Sequence, residues 1–229
     1  MDEERTLAEL VEVAEPAWPL VSEWLAKSPR QIDVLLAEPQ RAELVVLVLQ
    51  ISLRSPLGAM AYHSGGLLID HGWLKILGSG SHRMHGDLLT WNGVGPGAFP
   101  DAIAGAFIVA LDAVGGVYAL NGGAFAGDTQ HIFYFAPDRL DWEDLGIGYT
   151  EFLFWALNGN IEQFYETLRW PDWQQDTNRM TGDEGLSLYP PLYAQGEPLE
   201  TRSRRAIPLQ QLVSLEWETA RQLREGGDE

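Results

Sequence analysis

Three short runs rich in β-branched and aromatic residues follow one another in the middle of the chain, separated by glycine-containing turns. The runs are Ala106 to Leu111, Val117 to Leu120 and Thr129 to Phe135. Connections this short join strands that pair antiparallel with their neighbours in sequence. The pattern therefore predicts a β-meander, and Pro137 ends its last strand.

A further hairpin is predicted upstream of the meander. Leu67 to Asp70 and Trp73 to Leu77 are short apolar runs that His71-Gly72 can join. Tight turns of this kind fit the glycine distribution, because 16 of the 24 glycines lie between Gly58 and Gly127.

The residues before this hairpin have helical signals. Thr6-Leu7-Ala8-Glu9 has the spacing of a capping box, and Pro16 to Lys27 has one apolar face. The segment from Pro39 to about Arg54 contains valines that favour a strand, but its length and its proline start favour a buried helix. Ser55-Pro56 predicts the start of a short helix that ends near His63.

The residues after the meander also favour helices. We expect Thr150 to cap a helix over Glu151 to Asn158, and Asn160 to cap a second helix whose apolar face extends to Leu168. Residues 174–208 are polar, contain prolines and have little periodicity, so we expect a long excursion over the surface. Leu209 to about Leu223 predicts a closing helix.

Together these elements predict an α+β fold, in which N-terminal and C-terminal helices flank an antiparallel β-meander sheet. We expect one domain over residues 1–229, with a core at about 6–170 and a C-terminal excursion and closing helix at about 174–224.

The formal net charge of −18 excludes some classes of partner. Nucleic-acid binders need a positive surface, and an anionic membrane surface repels an acidic chain, so we expect neither partner. A basic protein would be attracted. The simpler interpretation is that the charge keeps the protein soluble.

The chain has no cysteine, which excludes disulfides, thiol nucleophiles, zinc–thiolate sites and iron–sulfur clusters. Its longest aliphatic run, Leu44 to Leu49, is too short for a membrane helix. The acidic start Met1 to Glu4 does not resemble a secretory signal, so we expect a cytoplasmic location.

Residues Ser52 to Ala110, here called the neutral window, are the first place to search for a site. The neutral window has three acidic and three basic residues and four of the five histidines. In it, Asp70-His71-Gly72-Trp73 could place a carboxylate beside an imidazole base, with Arg54 as a further candidate. The alternative is a hairpin turn with a structural tryptophan, because adjacent strand residues point to opposite faces.

Other candidates have simpler explanations. Gly78-Ser79-Gly80-Ser81 lacks the lysine of a phosphate-binding loop and favours a flexible loop. His82, His85 and Asp87 have the residue types of a zinc site but no helix to align them, so we expect solvated loop histidines and no metal or cofactor. The acidic residues Asp141, Glu143 and Asp144 indicate an exposed connector. Trp170 and Trp173 could anchor a partner, although core packing is the simpler expectation.

Four stretches resemble one bacterial family, the domain-of-unknown-function family numbered 2625. They are Thr6-Leu-Ala-Glu-Leu-Val, Ser55-Pro-Leu-Gly-Ala-Met-Ala-Tyr, Gly66-Leu-Leu-Ile-Asp-His-Gly-Trp-Leu-Lys-Ile-Leu-Gly-Ser-Gly and Tyr149-Thr-Glu-Phe-Leu-Phe-Trp-Ala-Leu. The resemblance covers nearly the whole chain and implies no activity.

A second resemblance lies in the meander and the helix after it. Val109-Ala-Leu-Asp-Ala-Val-Gly-Gly-Val-Tyr-Ala-Leu, His131-Ile-Phe-Tyr-Phe and Tyr149-Thr-Glu-Phe-Leu are similar to the core of the SUKH superfamily. This resemblance implies a SUKH-like fold and a role as an immunity protein or non-enzymatic ligand-binding module. The present chain is longer, extending beyond Trp170.

Three hypotheses follow. The first is a non-enzymatic binding module for a basic, toxin-like protein or a small ligand. Its expected binding residues are Asp70, His71, Trp73, Ser79, Trp91 and Asn92. The second is a small hydrolase or isomerase that uses Asp70, His71 and Arg54. The third is an assembly role, with homo-oligomers formed through an exposed sheet edge.

Overall fold

The computed structural model describes residues 4–226, so most of the acidic start on which the predicted location depends lies outside the described residues. Its main element is a seven-stranded sheet in which each strand pairs antiparallel with the next in sequence. The strands are β1 Ile32–Leu35, β2 Gly66–Ile69, β3 Leu74–Leu77, β4 Ala106–Asp112, β5 Val117–Asn121, β6 His131–Ala136 and β7 Asp141–Gly148. The predicted α+β class and the meander are confirmed.

Eight α-helices and a second, two-stranded sheet complete the described residues. The helices are α1 Leu7–Val11, α2 Trp18–Lys27, α3 Pro39–Leu49, α4 Pro56–His63, α5 Tyr149–Asn158, α6 Ile161–Phe164, α7 Trp173–Thr177 and α8 Leu209–Gly226. The second sheet pairs β8 Glu184–Tyr189 antiparallel with β9 Ser203–Pro208. None of the helices within residues 4–226 is long and apolar enough to cross a membrane.

Local signals located several helix ends correctly. Thr6 and Glu9 form the predicted capping box, and the Ser55 hydroxyl accepts a hydrogen bond from the Gly58 N–H at 3.0 Å. The Pro39 segment is a helix, as predicted, but it ends at Leu49 because Gln50 adopts a left-handed conformation with φ of 53°. The prediction that it continues to Arg54 is wrong.

Two further helix boundaries differ from the predictions. Helix α5 begins two residues earlier than expected, with Gly148 rather than Thr150 at its N-cap, and the Glu151 carboxylate accepts the Gly148 N–H at 3.2 Å. Helix α6 ends at Phe164, before the predicted Leu168.

Four strands were missed by the sequence interpretation. Strand β1 has only four residues, and β8 and β9 form a hairpin inside the expected surface excursion. Strand β7 occupies the expected acidic connector, where it pairs Trp142 with Phe135 and Asp144 with Phe133 of β6. The connector prediction is wrong because this strand lies at the edge of the sheet, where charged side chains can remain in solvent.

Alternate strand residues pack on opposite faces of the main sheet. On one face, residues such as Leu67, Ile69 and Ile76 join a cluster with Phe152 and Leu153 of α5. The other face carries Leu68, Leu77 and Ile108 in a second cluster, which the following residues of α3, the β3–β4 loop and α8 also join: Val45, Val46, Leu88, Leu89, Trp91, Leu212 and Val213. The single-domain organisation stays a prediction.

Candidate functional site

The β3–β4 loop forms two adjoining cavities of about 270 and 400 Å³. Both cavities are lined by His85, Thr90 and Pro96, so we treat them together as the His85 groove. Ser79, His82 and Trp91 of the neutral window also line the groove, and Arg41 of α3 and Asp183, just before β8, contribute from outside the window. The groove therefore opens in the region that the sequence indicated.

Asp87 fixes the shape of the loop. Its side chain is 1% exposed and receives the Arg41 guanidinium, with Nε at 2.7 Å from Oδ2. Its Oδ1 accepts the N–H groups of Leu89 and Thr90 at 2.9 and 2.8 Å, and the Thr90 hydroxyl at 3.0 Å. A buried carboxylate with this many donors holds backbone in place. Asp87 is therefore a supporting residue beneath the groove.

His85 is held by a carboxylate 98 residues away in the sequence. Its Nδ1 lies 2.9 Å from Asp183 Oδ2, and the Asp183 carboxylate also accepts the backbone N–H groups of His85 and Gly86, each at 2.8 Å. When Nδ1 carries the proton and donates to Asp183, Nε2 is left as an acceptor toward solvent. The His85 side chain is 81% exposed, so this nitrogen is accessible to a ligand.

The other predicted residues of this loop have different positions. Ser79 lines the groove but is fully buried, and its hydroxyl donates to the Ser64 carbonyl at 3.1 Å. The flexible loop expected at Gly78 to Ser81 is therefore wrong. Trp91 lines the groove at 3% exposure and packs on Phe99.

The Asn92 side chain lies under the β3–β4 loop and forms a set of hydrogen bonds, here called the Asn92 clamp. Its Nδ2 donates to the carbonyls of Leu88 and Ile108, each at 2.9 Å, and its Oδ1 accepts the Ile108 N–H at 2.7 Å. The two bonds to Ile108 attach the loop to β4, and the bond to Leu88 lies within the loop. Every polar group of the Asn92 amide has a protein partner, which favours a structural role.

Asp70 and His71 lie outside the groove, in the turn between β2 and β3. Both are left-handed, with φ of 53° and 59°. Asp70 Oδ2 forms an ion pair with Arg169 Nη2 at 2.6 Å, whereas His71 Nδ1 lies 3.2 Å from the Asn178 amide nitrogen. The two side chains thus have separate partners, and the structure does not bring them together as a dyad.

Trp73 is fully buried beneath this turn and belongs to a cage around Arg169. The guanidinium carbon lies 4.8 Å from the Trp73 ring centroid, 5.1 Å from that of Tyr165 and 3.9 Å from that of Trp173. We call these three rings the Arg169 cage. Trp173 is 8% exposed and Trp170 3%, so the expected core packing of both residues is confirmed.

Arg54 is exposed in the turn before α4, and no hydrogen bond or ion pair joins its side chain to Asp70 or His71. The cavity beside His71 measures about 40 Å³, a size suited to water rather than an organic substrate. Lys75 lines it, with Nζ donating to the Gly72 carbonyl at 3.1 Å. Burial lowers the pKa of Lys75 to about 8, although the negative charges of Asp112, Asp183 and Glu184 oppose this shift.

The sequence interpretation named His82 and His85 only as solvated loop histidines and did not include them among the expected binding residues. His82 and His85 are exposed loop residues, as predicted. Within residues 4–226, no three histidine or carboxylate side chains converge as metal ligands would. Asp183 and Arg169 had no signal in the sequence, because each meets its partner only after distant segments have come together.

Comparison with known proteins gives the family. The model of a family described as protein of unknown function DUF2625 matches residues 7–212. The chain is 39% identical over 225 residues to YbfG, an uncharacterised protein of Escherichia coli strain K12, covering 96% of this chain and 98% of the relative.

A second relative is an uncharacterised protein of Haemophilus influenzae strain ATCC 51907, 36% identical over 188 residues that cover 82% of each chain. No solved structure shows a significant match, and the similarity to the SUKH superfamily stays a prediction. On the extent of the family match and of these relatives, the chain belongs to the DUF2625 family.

Proposed function

We propose that the protein is a non-enzymatic binding module whose small ligand occupies the His85 groove. The observation that carries this proposal is the way the charged groups of the groove are already held by partners within the chain. Arg41 and three further donors satisfy Asp87, and His85 and two backbone N–H groups satisfy Asp183. A site ordered in this way loses little conformational entropy when a ligand binds.

The lining of the groove indicates the kind of ligand. The groove has one cationic side chain, Arg41, which pairs with Asp87, and two further carboxylates, Glu38 and Asp183, of which Asp183 accepts hydrogen bonds from His85 and the loop backbone. Trp91, Pro96 and Pro208 add apolar surface. A ligand with one flat apolar face and a group that donates to His85 Nε2 fits this combination.

The test is a screen of polar aromatic metabolites by saturation-transfer NMR, with wild type, His85→Gln and Asp183→Asn. We expect ligands that bind wild type to lose about tenfold or more in affinity in both variants, because each change removes or misorients the imidazole. Arg54→Ala is the matched control, since Arg54 is exposed away from the groove. Ligands that bind all four proteins equally would refute the proposal.

One observation favours a second candidate function, a hydrolase or isomerase. The 2.9 Å contact between His85 Nδ1 and Asp183 is the arrangement that orients a histidine as a general base. This pair serves that hypothesis better than Asp70 and His71, which have separate partners. Incubating the protein with a bound metabolite and following the metabolite by NMR for a day distinguishes the two functions. A binding module leaves the ligand unchanged, whereas an enzyme converts it at a rate that Asp183→Asn lowers by about 100-fold or more.

The basic protein partner stays a separate prediction from the net charge of −18. The electrostatic form of that prediction requires binding that weakens with added salt.

A further inference from the structure

A second cavity, of about 280 Å³, lies between α8 and the segment that begins with β8. It shares no lining residue with the His85 groove. Its walls are mostly apolar and come from Val114, Leu186, Leu188, Leu192, Tyr193 and Leu212. At its edge, Tyr189 is 76% exposed and Leu215 53% exposed, so large apolar side chains line an open mouth.

Glu216 supplies a carboxyl group to this apolar cavity. The residue is only 9% exposed, and its buried Oε2 has no hydrogen-bond partner within the described residues. Buried polar atoms are nearly always hydrogen-bonded, because leaving one unpaired costs about 1–3 kcal/mol. Oε2 lies against Gly115 and is itself closed to solvent, whereas Oε1 also accepts no hydrogen bond within the described residues and is the oxygen that a donor in the cavity can reach.

The turn between β4 and β5 is shaped around this carboxyl group. Gly115 has a φ of 99°, and a Cβ there would overlap the Glu216 carboxyl. A glycine thus provides both the left-handed conformation and the space. The carboxyl group is consequently held against the turn rather than free to swing into solvent.

The electrostatics at Glu216 favour a cation. Burial raises the pKa of Glu216 well above its usual range, and the nearby Asp112 carboxylate raises it further. Asp112 is itself fully buried and accepts the N–H groups of Val114 and Gly116 and the Tyr134 hydroxyl, at 3.0, 2.8 and 2.8 Å. A positive ligand group opposes this shift, because it favours the ionised form of Glu216 beside the Asp112 carboxylate.

We propose that this cavity binds a small organic amine, with the ammonium group on the Glu216 carboxylate and an apolar or aromatic body against the leucine and tyrosine wall. On binding, the Glu216 carboxyl releases its proton to solvent, and the ammonium N–H donors satisfy the charge of the carboxylate at Oε1. The acidic surface of the chain attracts such cations as well.

The probe is 2-phenylethylamine, and 2-phenylethanol is its neutral control of nearly equal size. We expect the amine to bind wild type at least about tenfold more tightly than the alcohol, as measured by calorimetry. We also expect NMR shifts in the amides of β8 and α8. Glu216→Gln keeps the shape of the side chain and should remove the preference for the amine. Glu218→Gln removes the same charge from an exposed position of the same helix and should keep it.

Three results would overturn the proposal: equal binding of amine and alcohol by wild type, no shifts in wild type at about 10 mM amine, or an amine preference that survives in Glu216→Gln. Should Glu216→Gln fail to fold, Leu192→Trp tests the same point by filling the cavity from the opposite wall. Unchanged amine binding by Leu192→Trp would refute the site. Because this cavity and the His85 groove share no residue, His85→Gln should leave amine binding unchanged.

Discussion

Replacing Asp70 by asparagine would remove one negative charge from an ion pair that is largely withdrawn from solvent. The side chains of Asp70 and Arg169 are 17% and 8% exposed, and 2.6 Å separates their charged atoms. Asparagine is the informative substitution, because it keeps the size of the side chain and tolerates the left-handed conformation, with φ of 53°, that Asp70 adopts. The change therefore tests charge without adding backbone strain.

The loss of stability expected for Asp70→Asn depends on which interactions the Arg169 guanidinium keeps. Loss of one partner from a buried ion pair costs about 3–5 kcal/mol, because the remaining charge is buried without compensation. The Arg169 cage still surrounds the guanidinium, and the amide oxygen of asparagine can still accept a hydrogen bond. We therefore expect Asp70→Asn to lower the free energy of unfolding by about 2–3 kcal/mol. For a chain of this size, that lowers Tm by about 5–10 °C.

Urea unfolding followed by tryptophan fluorescence measures this effect, and Arg169→Met completes a double-mutant cycle. In the Arg169→Met background there is no buried guanidinium, so Asp70→Asn should then cost little, giving a coupling energy of about 2 kcal/mol. Glu23→Gln, which breaks an exposed ion pair with Lys27, is the control and should leave the midpoint unchanged. The reasoning fails if Asp70→Asn has the same cost in both backgrounds.

Two further predictions concern stability. Burial lowers the pKa of Lys75 to about 8, whereas a lysine in the unfolded chain has a pKa of about 10.4. Between these two pH values the unfolded chain binds more protons than the folded one. The contribution of Lys75 to stability therefore rises with pH across this range. From about pH 7.5 to about pH 9.5, the free energy of unfolding should therefore increase more in wild type than in Lys75→Met. An equal increase in both proteins would contradict this prediction. Asn92→Ala removes two hydrogen bonds between the β3–β4 loop and β4 and one within the loop, and should cost about 2 kcal/mol in urea unfolding. An unchanged unfolding midpoint would show that the loop does not depend on this clamp.

Features that depend on neighbouring residues could be predicted from the sequence. The Thr6 capping box and the Ser55 cap each join groups three residues apart, and the glycine turns of the meander involve only a few consecutive positions. Such interactions are local, so residue type and spacing are enough to identify them.

Features that depend on the packed sheet could not be predicted. The acidic residues of β7 looked like a solvated connector, since charge alone does not distinguish a loop from an edge strand. The neutral window located the His85 groove, but His85 meets Asp183 only because β8 packs close to the β3–β4 loop. Arg169 likewise becomes a buried ion only after Trp73 and Trp173, 100 positions apart in the chain, have formed walls around it.

The charged edge strand also has a consequence for how copies of this chain behave at high concentration. Among residues 4–226, no strand pairs with the outer side of β7, and open edges of this kind recruit strands from other molecules. Asp141 is 71% exposed and pairs with Arg224, and Glu143 is 39% exposed and pairs with Arg139, so a second copy approaching edge to edge would have to displace charged side chains from solvent. A register shift opposite His131 and Phe133 and the left-handed Gly146 further interrupt the regular hydrogen-bonding row. These features oppose edge-to-edge association of two copies through β7.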